Sequence, residues 1–260
     1  MNTEDRQNNI KELIEREGRV NVGQLADFYG KSQATIRNDL KEMESKHLLQ
    51  RVHGGAISQK SAYRSYYETT LNERMNINKT EKLLIAKACA DLVSDGEIIM
   101  IDSGTTNIYV ARELSQRNNL TILTNAVFVA QEFYYNAGIS VILFGGEMEF
   151  TSQFTHGYDT IAQLSKYRAD KFILSIDGIS SSHGVTTFHY QETEVSRQMM
   201  QRAKKVIAVC DHSKIGVEGF SYISELDSIH TLVTDRYEQN HKALDAIRSQ
   251  GIEVIEVGVK

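Results

Sequence analysis

The sequence after residue 96 contains seven short aliphatic segments that are rich in β-branched residues, as strands usually are. In chain order they read EIIMID, TILT, SVILF, KFILSI, KVIAV, HTLVT and EVIEV. Helical periodicity marks stretches before and between them, at residues 80–93, 108–116, 126–137, 191–203 and 239–250. Strands that alternate with helices pair in parallel and are covered on both faces. The pattern therefore predicts an α/β domain with a largely parallel sheet over residues 80–260.

Polar residues follow five of these predicted strands directly. In open α/β sheets, ligands bind beyond the carboxyl ends of the strands, so these positions form the candidate site. They are Asp102, Ser103, Gly104, Thr105 and Thr106 after the first strand, Asn125 after the second, Gly145 and Gly146 after the third, Asp177 after the fourth, and Lys214 after the fifth. Converging turns of this kind would offer N–H groups and hydroxyls to a phosphate, and carboxylates to sugar hydroxyls.

The segment IDSGTTN, residues 101–107, joins the first of these strands to a helix. Glycine and hydroxyl residues at the start of a helix can hold a phosphate, which on these residues alone could belong to a cofactor, a substrate or a signal. A purely structural interpretation is equally open, because Gly104 can serve a tight turn and Thr105 can cap the helix. Lys214, taken alone, is more often a solvated surface lysine.

Several familiar catalytic motifs are missing from the sequence. There is no GxGxxG after a strand, no GxxxxGK[ST] and no GxSxG, which argues against a dinucleotide-binding fold, a P-loop and a nucleophile elbow. His183 and His189 have neither HExxH spacing nor a nearby cysteine. The sequence therefore predicts no cofactor and no metal site.

The first 57 residues follow a different pattern, that of three short helices and a hairpin. Apolar residues recur at helical spacing in residues 6–17, 22–29 and 33–48, glycines end the first two stretches, and Ser32 is placed to cap the third. The segment LLQRVHGGA then runs into a Gly-Gly turn, as a β-hairpin does. This order predicts a winged helix-turn-helix over residues 1–57, followed by a polar linker over residues 58–79.

The third helix of this unit is predicted to read DNA. The second helix of a helix-turn-helix enters the major groove with its N-terminal residues toward bases and phosphates. The candidate contacts are Ser32, Gln33, Thr35 and Arg37 on that helix, and Arg51 and His53 in the wing. Residues 31–60 hold six basic and three acidic residues although the chain has a net charge of −5, so the basic excess is local, as a DNA-binding patch requires.

Cysteine use and hydropathy indicate the compartment. Cys89 and Cys210 lie far apart inside apolar segments and are predicted to be reduced core residues. No apolar run approaches the roughly 20 residues of a membrane helix, and the polar N-terminus lacks the pattern of a signal peptide. The sequence therefore predicts a cytoplasmic protein with no membrane partner.

The run SQATIRNDLKEME followed by HLLQRVHGGA resembles the N-terminal signature of the DeoR/GlpR family of bacterial transcription regulators. The motifs EIIMIDSGTTN, ILTNAV, LFGGEM, ADKFILSIDGI and VCDHSKIG are similar, in order, to the C-terminal sensor domain of that family. The likeness covers nearly the whole chain. It implies a winged helix-turn-helix joined to an α/β sensor domain that resembles sugar-phosphate isomerases, binds a phosphorylated sugar or polyol and controls a carbohydrate operon, often as a repressor.

The resemblance also implies roles for single residues. Ser103, Gly104, Thr105 and Thr106 are expected to hold the phosphate. The residues expected around the sugar are Asp102, Asn125, Asp177, Glu194 and Lys214. Asn38 stands where family members usually carry a second arginine, and we count it among the DNA-binding candidates.

Two functions are compatible with these features. In the first, a phosphosugar controls a DNA-binding regulator, which reads double-stranded operator DNA as a homodimer or homotetramer because one winged head reads only a half-site. In the second, a sugar-phosphate isomerase-like enzyme uses Asp102, Asp177, Glu194 and Lys214 for proton transfer and charge stabilisation. An isomerase has no need of a DNA-binding head, so the first function is favoured and no catalytic residue is assigned.

Overall fold

The computed structural model describes most of the chain, over residues 3–17, 19–46, 48–52, 54–57 and 70–258. It divides into two compact units, Met1–Thr69 and Thr70–Lys260, and each is described by itself. His53, a predicted DNA contact, lies outside the described residues.

The first unit contains three helices and a small sheet. The helices are α1 (Thr3–Glu17), α2 (Val22–Tyr29) and α3 (Gln33–Ser45), and the strands are β1 (Arg19–Asn21), β2 (Gln50–Val52) and β3 (Gly55–Ile57). The central strand β3 pairs antiparallel with both β1 and β2. This arrangement confirms the predicted helix-turn-helix and the hairpin of the wing; the pairing of β1 with the wing is an addition that three residues were too few to predict.

Polar caps set the ends of the two helices of the helix-turn-helix. The Asn21 side chain accepts hydrogen bonds from the N–H groups of Gly23 and Gln24 at the start of α2. Gly30 ends that helix in the left-handed region, with φ of 59°, which glycine adopts without a steric penalty. Ser32 Oγ then accepts from the Thr35 N–H at 3.1 Å, so the predicted N-cap of α3 is confirmed.

One face of α3 is buried against α1. Ile36 and Leu40 of α3 pack with Ile10 and Ile14 of α1 in a single apolar cluster, and the i, i+4 spacing of each pair explains why these residues share a face. A buried ion pair also joins the same two helices.

The second unit contains seven helices and twelve strands within its described residues, 70–258. The helices are α4 (Leu71–Asn76), α5 (Lys79–Asp91), α6 (Thr105–Leu114), α7 (Val127–Gln131), α8 (Tyr158–Leu164), α9 (Tyr190–Arg202) and α10 (His241–Arg248). The strands are β4 (Ile98–Ile101), β5 (Leu120–Thr124), β6 (Ile139–Leu143), β7 (Glu147–Glu149), β8 (Phe154–His156), β9 (Ala169–Ser175), β10 (Gly178–Ser180), β11 (Gly184–Thr187), β12 (Ala203–Val209), β13 (Ser221–Ser224), β14 (Thr231–Asp235) and β15 (Glu253–Val257).

Seven of these strands form one parallel sheet in the order β15-β14-β12-β9-β4-β5-β6. They are the seven aliphatic segments of the sequence, so the predicted α/β domain is confirmed. Strand order reverses between β4 and β9, because the chain builds outward from β4 to β6 and then returns to β9 on the other side. Ligands of open α/β sheets bind at such a reversal.

Both faces of the sheet are covered, and alternate strand residues serve opposite faces. Met100 and Phe172 belong to one apolar cluster, with residues of α9 and α10, whereas Ile101 and Ile173 belong to the other, with residues of α5 and α6. This period of two is that of a strand buried on both sides. The two cysteines are buried and free, and they lie in different clusters, which confirms the prediction that they are core residues.

Some elements were not predicted from the sequence. The hairpin β7-β8, the small sheet β10-β11-β13 and the helices α4 and α8 are each three to seven residues long, too short to show a periodic pattern. The predicted linker, 58–79, includes α4, but Thr70 caps this helix through a reciprocal bond with Glu73, and residues from Thr70 onward belong to the second unit. Residues 58–69 lie outside the described part.

No helix in the described part of the chain is both long enough and apolar enough to cross a membrane.

A buried ion pair joins α1 to α3 and provides a test of the packing of the first unit. Arg6 Nε and Nη2 donate to the two oxygens of Asp39 at 2.6 and 3.0 Å, and both side chains are about 5% exposed. Asp39→Ala leaves a buried guanidinium without its carboxylate, and we expect a loss of about 3 kcal/mol in stability. Hydrogen exchange of the α1 and α3 amides in the full chain measures it. Lys46→Ala removes only an exposed pair with Glu42, and its exchange should match that of the wild type.

Candidate functional site

The carboxyl ends of all seven strands of the main sheet lie at the same edge, because the strands are parallel. The predicted site residues after β4, β5, β6, β9 and β12 are therefore on one edge, and these five strands are consecutive neighbours in the order β12-β9-β4-β5-β6. Within these five strands the order reverses between β4 and β9, and a polar network joins the ends of these two strands to α6 and α9.

Asp102, directly after β4, is the hub of this network. Its Oδ1 accepts from Asn107 Nδ2 at 2.7 Å and from the Ser175 N–H at 2.9 Å, and its Oδ2 accepts from Ser196 Oγ at 3.3 Å. Asn107 lies on α6, Ser175 ends β9 and Ser196 lies on α9. The carboxylate is 1% exposed, so it joins four elements in a position that water does not reach.

Ser103 is bound by a glutamate that the sequence analysis did not select. Its N–H donates to Glu192 Oε1 at 3.0 Å, and its Oγ donates to Glu192 Oε2 at 2.7 Å. Asn125, after β5, lies close enough to the Glu192 carboxylate to lower its pKa, and it donates to the Thr155 carbonyl at 2.9 Å. Glu192 therefore connects the ends of β4 and β5 to the first turn of α9.

Burial controls the charge of the two acids. It raises the pKa of Asp102 well above its ordinary value, and the neighbouring charge of Glu192 adds to the effect. Burial also raises the pKa of Glu192 to about 7, although the bonds from Ser103 lower it. Two close buried carboxylates resist simultaneous ionisation, so each of these acids keeps its proton to a higher pH than an exposed acid does.

The start of α6 packs closely against the end of β9. Gly104 has φ of 127°, and a Cβ there would lie 2.3 Å from Ser175 Oγ, so glycine is required both for the turn and for contact with β9. Thr105 and Thr106 open the helix, Thr105 half-buried and Thr106 buried. No side chain of the described residues caps this N-terminus, and uncapped N–H groups at a helix start favour an anion.

Asp177 and Lys214, predicted together, are in contact. Lys214 Nζ donates to Asp177 Oδ1 at 3.4 Å, while Oδ2 accepts from the Phe188 N–H and Thr187 Oγ1. Burial alone would raise the pKa of Asp177, but Lys214, His189 and these hydrogen bonds outweigh it and hold the pKa below its ordinary value. Asp177 is therefore a carboxylate at neutral pH.

Lys82 adds a buried ammonium group near Asp177 and the half-buried Lys214. Its Nζ donates to the carbonyls of Arg74 and Ile77, both at 2.7 Å. Burial lowers the pKa of Lys82 to about 8, although Asp211 acts in the opposite direction. Asp211 in turn accepts from Asn78 Nδ2 at 2.9 Å. The turn after β12 is thereby tied to the segment between α4 and α5.

Arg74 carries a third positive charge into the same region. Its Nη2 donates to Ser152 Oγ at 2.8 Å and to the Thr151 carbonyl at 3.2 Å. Ser152 Oγ also hydrogen-bonds His189 Nε2 at 2.9 Å. Burial lowers the pKa of His189, although the carboxylate of Asp177 raises it. At the carboxyl edge of the main sheet, the positive charges of Arg74, Lys82 and Lys214 thus lie among the buried acids.

Three predicted site residues do not join this network. The Gly145 N–H donates to Gln163 Oε1 at 3.1 Å, and Gly146 lies against Thr160, at the edge strand of the sheet. Glu194 is exposed and pairs with Arg197 on the next turn of α9. The structure therefore brings together Asp102, Ser103, Gly104, Thr105, Thr106, Asn125, Asp177 and Lys214.

The residues missed in the sequence are Arg74, Lys82, His189 and Glu192. For Glu192 a signal was present. Val195 and Met199 are buried on α9, and Glu192 stands three and seven residues before them, on the same face, whereas Glu194 does not. Lys82 likewise precedes Ile85 and Ala86 on the buried face of α5. Arg74 and His189 lie in segments without a sustained period, so no pattern selected them.

Within the described residues, no group of three or more His, Cys, Asp or Glu side chains is arranged to hold a metal ion.

The first unit presents the N-terminal part of α3 to solvent. Ser32, Gln33, Arg37 and Asn38 are exposed and Thr35 is half-buried. Arg37 Nη2 donates to Gln33 Oε1 at 3.1 Å, which holds the two long side chains side by side as they project from the helix. Polar groups so placed can reach base edges and phosphates in a major groove. Arg51, on the wing strand β2, is exposed and pairs loosely with Glu44.

A helix-turn-helix with an exposed polar reading helix and a sheet domain with a polar carboxyl edge define a DNA-binding regulator of the kind that senses a small molecule. Comparison with known families agrees. Residues 6–62 match the DeoR-like helix-turn-helix domain and residues 77–236 match the DeoR C-terminal sensor domain. The chain belongs to the DeoR family of transcriptional regulators, as its motifs predicted.

Curated relatives are similar along almost their entire length. The HTH-type transcriptional regulator GolR of Listeria innocua is 34% identical over 89% of this chain and 90% of its own. The HTH-type transcriptional repressor GlcR of Bacillus subtilis is 32% identical over 98% and 96%, and the glycerol-3-phosphate regulon repressor of Escherichia coli is 32% identical over 90% and 92%. Among solved structures, ribose 5-phosphate isomerase A of Methanocaldococcus jannaschii is similar over 53% of this chain and 54% of its own, with 18% identity and a TM-score of 0.40.

The Asp177–Lys214 contact predicts a change in acid stability. A buried acid whose pKa is lowered in the folded state adds stability above its unfolded pKa of about 4, and this stability is lost as the pH falls through the folded pKa. In Lys214→Met, burial of Asp177 is offset only by His189 and the hydrogen bonds, so the pKa of Asp177 rises and acid unfolding should begin at a higher pH. Circular dichroism at stepwise lower pH measures the midpoint. Lys204→Met, which removes an exposed lysine paired with Asp170, should leave the midpoint in place.

Proposed function

We propose that this regulator represses a carbohydrate-utilisation operon and that a phosphorylated sugar or polyol, bound at the carboxyl edge of the sheet, controls its affinity for the operator. The observation that carries the proposal is the uncapped start of α6 next to Ser103 and Gly104, with buried cations nearby. Helix N-terminal N–H groups, hydroxyls and cations are the groups that bind phosphate. The name of one relative, a glycerol-3-phosphate regulon repressor, agrees with such a signal.

The residues divide into two sets by chemistry. We assign Ser103, Gly104, Thr105 and Thr106 to the phosphate, because they surround the helix start. Asp177 and Lys214 are assigned to the hydroxyls and the remaining charge, because acceptors and an ammonium group bind polyols in combination. Asp102 and Asn125, which are more deeply buried, stay predictions for the same set. Glu192 takes the place that the resemblance gave to Glu194, since only Glu192 contacts this network. Gly145 and Gly146 stay predictions at its periphery.

We infer that the regulator acts as at least a dimer. One winged head reads a half-site, and a symmetric operator needs two heads related by a two-fold axis. The effector then acts by binding one arrangement of the heads better than the other. Homodimer and homotetramer both satisfy this requirement.

Catalysis is not part of the proposal. An isomerase needs a base free to take a proton from the substrate, whereas both oxygens of Asp102 and both oxygens of Asp177 accept hydrogen bonds from the protein. This engagement suits recognition, and the relatives bear the names of regulators.

The reading helix is tested with an operator obtained by selection from random-sequence DNA. Arg37→Ala should cost about 1–3 kcal/mol in operator binding if the guanidinium reads a base. Thr35→Ala should weaken operator and scrambled DNA alike, because a hydroxyl at the helix start contacts phosphate. Fluorescence anisotropy at fixed salt measures both.

Arg117→Ala is the matched control for this pair, since it removes one positive charge from the second unit, where Arg117 pairs with Asp91. Its operator affinity should equal that of the wild type. If Arg37→Ala and Thr35→Ala also bind the operator like the wild type, α3 is not the reading helix.

The effector is tested with a panel of sugar and polyol phosphates, each beside its unphosphorylated parent. A compound at 100 times its dissociation constant adds about 2.7 kcal/mol of stability, which a thermal-shift measurement detects. Hits should also change operator affinity and should be recovered unaltered, by NMR, after incubation with the protein. A shift by the parent sugars alone contradicts the assignment of phosphate, and conversion of a hit into its isomer contradicts the absence of catalysis.

A further inference from the structure

The carboxylate of Glu192 occupies donors that an effector phosphate needs. Its two oxygens accept from the Ser103 N–H at 3.0 Å and from Ser103 Oγ at 2.7 Å. Both donors precede the start of α6, where the proposed phosphate site lies. Glu192 is 6% exposed, so this is a buried contact of an anion with two converging donors, as a bound phosphate would make.

Two anions cannot share these donors. A phosphate at the start of α6 would stand beside Glu192, on which the charge of Asp177 already acts and whose own charge acts on Asp102. Like charges in a buried site repel strongly because little water screens them. Lys214 offsets Asp177, to which its Nζ donates at 3.4 Å. The phosphate therefore gains Ser103 only if Glu192 gives it up.

We propose that Glu192 is an intramolecular competitor of the effector phosphate: its contact with Ser103 must be released for the phosphate to bind there. The inference rests on the proposed function, because it concerns the same crevice. It assigns to Glu192 a role in setting affinity and in switching, beyond contact with the ligand.

Release of Glu192 reaches other elements through short contacts. Glu192 lies in the first turn of α9, and His189, which immediately precedes that helix, is hydrogen-bonded to Ser152. Ser152 accepts from Arg74 of α4. A shift in the first turn of α9 is therefore felt in the contacts of α4, the element that follows residues 58–69.

The competition depends on pH, and this gives it a signature. Burial raises the pKa of Glu192 to about 7, so Glu192 is increasingly neutral below that pH and its hold on Ser103 weakens. The groups facing it are Asp102, Asp177 and the hydrogen-bonding side chains of Ser103 and Asn125. Lys82, with a pKa of about 8, also titrates nearby, so a variant must separate the two.

The experiment titrates sulfate into the full-length protein by calorimetry at pH 5.5, 6.5 and 7.5. Sulfate has the shape of phosphate and keeps its charge over this range. Glu192→Gln keeps the size of the side chain and removes its charge, and we expect it to bind sulfate about 10-fold more tightly than the wild type at pH 7.5, as for the loss of one charge-assisted competitor. The gain should shrink toward pH 5.5, where Glu192 of the wild type is itself neutral.

Glu113→Gln is the matched control, because it removes one negative charge at the opposite end of α6, and its sulfate affinity should equal that of the wild type. Glu192→Asp keeps the charge on a shorter side chain that cannot span both Ser103 donors, and should also bind more tightly. Adding Ser103→Ala to Glu192→Gln should reverse most of the gain, which places the sulfate at Ser103. Melting without sulfate shows that each variant is folded.

Unchanged or weaker sulfate binding by Glu192→Gln would overturn the proposal. So would a gain in Glu192→Gln without one in Glu192→Asp, because charge alone and not occupation of Ser103 would then exclude the anion. These outcomes are separate from failure of the proposed function. If phosphosugars bind and change operator affinity while Glu192→Gln behaves as the wild type, only the competition is wrong; if no phosphosugar binds either protein, the proposed function fails first.

Discussion

The buried carboxylate of Asp102 is the contact on which the second unit depends. It joins the end of β4 to the end of β9, to α6 through Asn107 and to α9 through Ser196. These elements meet where the strand order reverses, and without Asp102 the Ser175 N–H, the Asn107 amide and the Ser196 hydroxyl would each lose this buried acceptor. A carboxylate can accept several hydrogen bonds at once, and this capacity fixes the start of α6 relative to its neighbours. This arrangement determines the geometry of the carboxyl edge between β4 and β9.

Charge balance at the carboxyl edge follows from the same constraint. Burying Asp102, Asp177, Asp211 and Glu192 together is costly unless cations or donors offset them. Lys214 and Lys82 do so for the two aspartates after β9 and β12, whereas Asp102 and Glu192 are stabilised mainly by hydroxyl and amide donors and have raised pKa values. The acids after β9 and β12 are therefore charged at neutral pH, whereas the charge of Asp102 and Glu192 depends on the groups around them.

Much of the fold could be predicted from the sequence, because the aliphatic segments of the strands and the apolar spacing of the helices were clear. Seven aliphatic segments became the seven strands of the sheet, and Ser32 and Gly30 set the ends of helices as expected. The common location of the candidate residues could be predicted, since the residues that follow parallel strands lie at one edge of a sheet. Glu194 was taken from a motif, and the helical period of α9 points to Glu192 instead. Arg74 and His189 reach the edge through tertiary packing, which no local pattern encodes.

The short helix α4 is anchored out of proportion to its length. Met75 accepts a hydrogen bond from Tyr109 of α6, the Arg74 carbonyl accepts from Lys82 of α5, and Asn78 reaches Asp211. Helix α4 and the residues just after it are thus attached to α5, to α6 and to the turn after β12. The chain therefore enters this unit through residues that already contact the elements at the carboxyl edge of the sheet, and any movement of those elements changes the contacts of the incoming backbone directly.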